Sequence, residues 1–65
     1  MLGRPKYKRD EIVQFYIDQE CKIGRVYIID KFGTFEQQEE VSYDIMVETE
    51  NCLYKHVRES WMKPV

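Results

Sequence analysis

Three runs of alternating side chains constrain this chain more than any other feature in it. Residues 12–17 read IVQFYI, residues 26–29 read VYII, and residues 42–48 read SYDIMVE. β-branched or aromatic residues return at every second position, which is the period of a half-buried strand and not of a helix. Val13, Phe15 and Ile17 fall on one side of the first run, Val26 and Ile28 on one side of the second, and Tyr43, Ile45 and Val47 on one side of the third. A fourth run, CLYKHV at 52–57, adds only Leu53 and Val57 on a common parity, as an edge or bulged strand would. These side chains form the expected core.

The connections fit the same class. DQECK at 18–22 reads as a polar link. Gly24 opens the second run, where a strand begins close against its neighbour or bends sharply. DKFG at 30–33 reads as a turn with Gly33 able to take positive φ, and residues 34–41 lack an apolar period and read as a loop. TEN at 49–51 predicts a tight turn with Asn51 left-handed. RESW at 58–61 predicts one 3₁₀ turn, and residues 62–65 a last short strand or tail. The expectation is an all-β chain of five short strands with a 3₁₀ turn before the last, bent into a small barrel.

Size and charge narrow the function. Sixty-five residues make one domain, which buries only about 60% of its unfolded surface and leaves little room for a catalytic pocket. Arg4, Lys6, Lys8 and Arg9 give residues 1–9 a charge of +4 with no acid, while residues 10–65 set the remaining six Lys and Arg against all twelve Asp and Glu, for −6. A basic, flexible arm (1–9) therefore precedes an acidic body (10–65). MLGRPKYKR has no apolar run of a secretory signal, and Leu2 stands where myristoylation needs glycine. No run is long enough to cross a bilayer as a helix. The expected location is the cytoplasm, with Cys21 and Cys52 reduced.

The residues that do chemistry are sparse. His56 is the single histidine, and Cys52 lies four positions before it, about 13 Å away on a flat strand and too far for a nucleophile–base pair. Two cysteines and one histidine lack paired metal-ligand spacing. The carboxylates from Asp30 to Glu50 read as a solvated acidic face rather than an acid–base pair in a pocket. The expectation is no enzyme, no metal and no cofactor.

RDEIVQFYIDQECKIGRVYIID resembles the opening of KOW- and SH3-like barrels, which commonly read Gly-Asp-x-Val, a polar turn, then Gly-x-Val; Asp10, Val13, Gly24 and Val26 stand close to those positions. LYKHVRESWMKPV is similar to the way such barrels close, with a strand, a Glu-Ser 3₁₀ turn and a short last strand. More narrowly, residues 10–65 resemble the small SH3-like proteins of unassigned function carried by Gram-positive bacteria and their phages. The resemblance implies a five-stranded SH3-like barrel and the role of a phage or prophage accessory protein binding a host protein.

Two surfaces are candidates for that binding. Tyr16, Tyr27, Tyr54 and Trp61 fall on outward parities or turns, where flat rings present apolar area to a protein partner at low entropic cost. The alternative is nucleic acid, with Arg4, Lys6, Lys8 and Arg9 on phosphates and Tyr7 stacked on a base. Self-assembly through an exposed strand edge is a third reading, and no membrane partner is expected.

Overall fold

The computed structural model describes residues 4–32 and 40–65. Among these residues, five antiparallel strands form one sheet: β1 (Ile12–Ile17), β2 (Glu20–Asp30), β3 (Ser42–Val47), β4 (Cys52–Arg58) and β5 (Met62–Pro64). Their order is β4-β3-β2-β1-β5. Among the described residues there is no α-helix, and 3₁₀ turns at Glu48–Glu50 and Glu59–Trp61 join β3 to β4 and β4 to β5. The class and the 3₁₀ turn before the last strand are those expected. Among the described residues the hydrogen-bonded ladder does not close, and β4 and β5 are its edges. The Cα atoms span 31 × 22 × 17 Å.

The first hairpin is tighter than the sequence suggests. β1 and β2 pair from Ile12↔Arg25 to Ile17↔Glu20, so only Asp18 and Gln19 form the turn. Both take positive φ, 51° and 66°, which matches the right-handed twist of the flanking strands. The polar stretch expected to link the strands is mostly β2 itself. Asp-Gln lacks the glycine that usually marks such a turn, so the sequence alone does not show how short the link is.

Gly24 consequently lies inside β2 instead of opening it. A Cβ built there would stand 2.6 Å from the Met46 carbonyl oxygen and 2.7 Å from Ile45 Cγ2. Only glycine lets β3 approach this closely, so the expected close approach is real and its place in the strand is different.

Two register shifts break the alternation. The β2–β3 pairing slips between Val26 and Ile28, and the β3–β4 pairing slips between Tyr43 and Ile45, opposite the β4 stretch from Tyr54 to Val57. An extra residue in one strand turns all later side chains to the other face. Ile28, expected inside, is exposed, and Ile29 packs on the core in its place. Leu53, also expected inside, is only half-buried, and Tyr54 packs on the core. Ile17 is half-buried and packs against the core from its edge.

Val13, Phe15, Val26, Tyr43, Ile45, Val47 and Val57 are buried as expected. Three further residues join them: Tyr7, Val41 and Met62. Met62 pairs with Phe15 across β1–β5. Gly33 and residues 34–39 of the expected turn and loop lie outside the described residues. Asn51, at φ 51° and ψ 45°, closes the first 3₁₀ turn in the left-handed conformation expected for it.

Tyr7 ties the basic segment to the sheet. Its ring meets Tyr43 edge-on, with centroids 5.7 Å apart. The backbone N–H groups of Lys6 and Tyr7 donate to the Tyr43 hydroxyl at 3.1 and 3.4 Å. That hydroxyl donates to Glu59 Oε2 at 2.6 Å, and the same oxygen accepts the Lys6 N–H at 3.0 Å. Burial, with the Glu59 carboxylate accepting the phenol proton, holds Tyr43 well above the usual tyrosine range.

Candidate interaction surfaces

The structure separates the four aromatic residues expected to bind a partner. Tyr16 and Trp61 come together. Tyr16 points outward from β1, Trp61 ends the second 3₁₀ turn beside it, and both line a concavity of about 260 Å³ with Ile17, Asp18 and Gln19. The rings are 51% and 40% exposed, the exposure of residues a partner could cover. Each carries a cation on its face: Lys63 Nζ lies 5.7 Å from the Tyr16 ring, and the Arg58 guanidinium 5.6 Å from the Trp61 ring. Such contacts hold flat rings in place without hiding them. The β1–β5 pairing, Gln14↔Lys63, is what brings Lys63 near Tyr16. No local sequence pattern marks Lys63, since that pairing spans most of the chain, whereas Arg58 lies only three positions before Trp61.

Tyr54 is differently placed. Its ring packs edge-on against Phe15 at 5.5 Å, and Lys22 Nζ lies 5.4 Å from its centroid. Its hydroxyl donates to Glu50. Lys22 bridges Glu20 at 3.1 Å and Glu50 at 2.6 Å. Lys22 and Tyr54, both bonded to its carboxylate, hold Glu50 below the usual carboxylate range, and the two acids push Lys22 up. Tyr54 thus belongs to a bonded corner joining β2, β4 and the first 3₁₀ turn. Tyr27 lies in a third place, beside Arg9, Ile28, Ile29 and Lys31.

Of the basic segment, Arg4, Lys6, Lys8 and Arg9 are exposed, while Tyr7 is 8% exposed and faces Tyr43. A base could not stack on the Tyr7 ring in this arrangement, but all four cations are open to phosphates. Lys8 and Glu11 lock the turn that follows: the Glu11 N–H donates to the Lys8 carbonyl at 3.1 Å, and the Lys8 N–H to Glu11 Oε1 at 2.9 Å.

Cys52 is half-buried and Cys21 exposed, and both are free thiols. The register shift in β4 ends the common parity on which Cys52 and His56 would share a face. Among the described residues, no group of three or more His, Cys, Asp and Glu is placed to hold a metal ion, and no helix is long and apolar enough to cross a membrane.

Sequence reasoning missed the exposed aliphatic side chains. Ile12 and Ile23 stand open on the outer face with Met46 beside a tethered Arg25, which bonds Asp10 at 3.2 Å and Glu48 at 3.0 Å. Comparison of the chain with protein-family models, curated proteins and solved structures yields no match.

Proposed function

We propose that this chain is a non-enzymatic protein-interaction module on a small SH3-like barrel, and that its partner covers the Tyr16–Trp61 surface. The observation that carries the reading is that these two rings, 45 positions apart in sequence, line one concavity while remaining exposed. A strand order that sets β1 between β2 and the final strand supports the barrel. Aromatic residues held beside a shallow groove are what partner recognition selects as anchors. The resemblance to small proteins of Gram-positive bacteria and their phages adds the role of an accessory protein acting on a host component in the cytoplasm.

The test is capture of partners from a Gram-positive host lysate by the tagged protein, with and without nuclease, using the wild type and a Tyr16→Ala/Trp61→Ala variant. A partner that survives nuclease and binds the variant more weakly by ~2 kcal/mol or more supports the reading. Equal capture by both proteins would sink the proposed surface.

Nucleic acid is the second reading, and the exposure of Arg4, Lys6, Lys8 and Arg9 beside a buried Tyr7 anchor favours it. Four phosphate contacts on a single strand predict that log K falls with log salt at a slope of about −3. Capture abolished by nuclease would put this reading first.

A further inference from the structure

Both register shifts of the sheet fall beside one residue, Asp44. It pairs with Ile28 just after the slip in β2, and it sits between Tyr43 and Ile45, where the pairing with β4 slips. Asp44 Oδ1 accepts the His56 N–H at 3.1 Å, and His56 takes φ 60°. Bulges re-aim side chains, and this pair does so on a large scale. Tyr27 and Ile28, consecutive in sequence, are both 47% exposed, and Phe32, two residues past the end of β2, is 72% exposed. Taking about 200 Å² for a whole side chain of this kind, the three expose on the order of 350 Å². That is about the size of the largest apolar patch on a typical monomer, and such patches are often functional.

Charge is polarised around the patch. Two concavities of about 420 and 380 Å³ share Ile28, Ile29 and Lys31. One runs on to the anionic Asp30 and Asp44, and the other to Arg9 and Tyr27. Arg9 ends the +4 segment, and the rest of the chain carries −6. Lys31 lines both, and apart from it the surface has an apolar middle, an anionic end and a cationic end, an arrangement complementary to itself turned by half a revolution.

We propose that a second copy of this chain docks here, forming a two-fold dimer. Tyr27, Ile28 and Phe32 of both copies pack together at its centre, and Arg9 of each copy faces Asp44 of the other. The dimer uses a surface separate from Tyr16 and Trp61, so it does not rest on the partner-binding reading. It also differs from strand-edge assembly, because it is built from the side chains of Tyr27, Ile28 and Phe32 and not from backbone pairing along a sheet edge.

Sedimentation equilibrium over micromolar to near-millimolar protein, at low and high salt, tests the proposal. The weight-average mass is expected to climb from 8.0 kDa toward twice that value. An Ile28→Ser/Phe32→Ser variant is expected to raise the dimer dissociation constant at least ~10-fold. Arg9→Glu and high salt should also weaken the dimer, while Tyr16→Ala/Trp61→Ala should leave it unchanged. The substituted side chains are exposed, and circular dichroism of each variant checks that it remains folded. A mass of 8.0 kDa at every concentration overturns the proposal. A dimer indifferent to Ile28→Ser/Phe32→Ser overturns it equally, and would point to edge pairing. Loss of host-partner capture in Tyr16→Ala/Trp61→Ala with the dimer intact would show that the two surfaces act separately.

Discussion

Gly24 and Ile28 lie four residues apart in β2, and the strand around them behaves in opposite ways. Up to Val26 the alternation holds, with Gly24 and Val26 buried and Ile23 exposed. At Gly24 the neighbouring strand is so close that a single added carbon would meet a backbone oxygen at 2.6 Å. Past the bulge, Tyr27 and Ile28 are both turned outward and Ile29 takes over the core contact. One half of the strand is packed to backbone contact, and the other half is open. The same strand should therefore tolerate substitution very differently along its length.

Ile45 marks the packed half most strongly. It is fully buried, it pairs with Val26, and it forms one wall of the Gly24 contact. Ile45→Ala is expected to cost about 3 kcal/mol, as removal of a buried aliphatic side chain with a residual cavity does. Gly24→Ala adds one carbon where none fits, and overpacking against a backbone oxygen that cannot swing away should cost about 2 kcal/mol. Urea unfolding at a single pH measures both. A Gly24→Ala variant as stable as the wild type would mean that β3 does not press on β2 there, and the contrast within the strand would collapse.

The same contrast explains what could be read in advance. Residues 12–17 and 42–47 carry a clean alternation; β1 pairs with β2 without interruption, and the extra residue of each bulge lies in β2 or β4 and not in β3, so Val13, Phe15, Tyr43, Ile45 and Val47 were visible as core. Ile28 and Leu53 were misplaced because a bulge is set by how two strands pair, and neither VYIID nor CLYKHV contains a glycine to announce one. Tyr7 was invisible for another reason. Its partner Tyr43 is 36 positions away, and its local setting of Lys6, Lys8 and Arg9 suggests solvent. For the candidate surface, outward parity placed Tyr16 on the exposed side of β1, but it could not tell that Trp61 would lie beside it and Tyr27 would not.

Tyr43 sharpens the comparison from the adjacent strand, because it stabilises through hydrogen bonds as well as packing. Tyr43→Phe keeps the ring and removes the acceptor of two N–H groups and the donor to Glu59. The expected cost at neutral pH is about 1 kcal/mol. The pH dependence is more diagnostic. Tyr43 and Tyr7 are both raised above 10.0 in the folded chain, chiefly by burial. The stability this represents is fully present below the unfolded value and is lost as pH rises through the folded values. The wild type should thus lose stability above about pH 10. Lys22, also raised, adds to that loss in both proteins, so the difference between wild type and Tyr43→Phe isolates the phenol. Parallel stability curves above that pH would show that Tyr43 titrates as freely as in the unfolded chain.

Ile28→Ala carries the smallest effect and tests the open half directly. The side chain is the same as that of Ile45, the two residues lie on neighbouring strands beside the same bulge, and only the direction of the side chain differs. At low micromolar protein, where a weak dimer is dissociated, the substitution should change stability by no more than about 0.5 kcal/mol, as exposed substitutions usually do. A loss of about 2 kcal/mol under those conditions would mean that Ile28 is covered within one chain, and both the bulge and the exposed patch would be wrong. Repeating the melt at high protein concentration separates folding from association. If a second copy covers Ile28, the wild type gains stability with concentration by mass action and Ile28→Ala does not, so the gap between them widens. A gap that stays small at every concentration leaves the open half of β2 open, and assigns the contrast between the two halves to packing within a single chain.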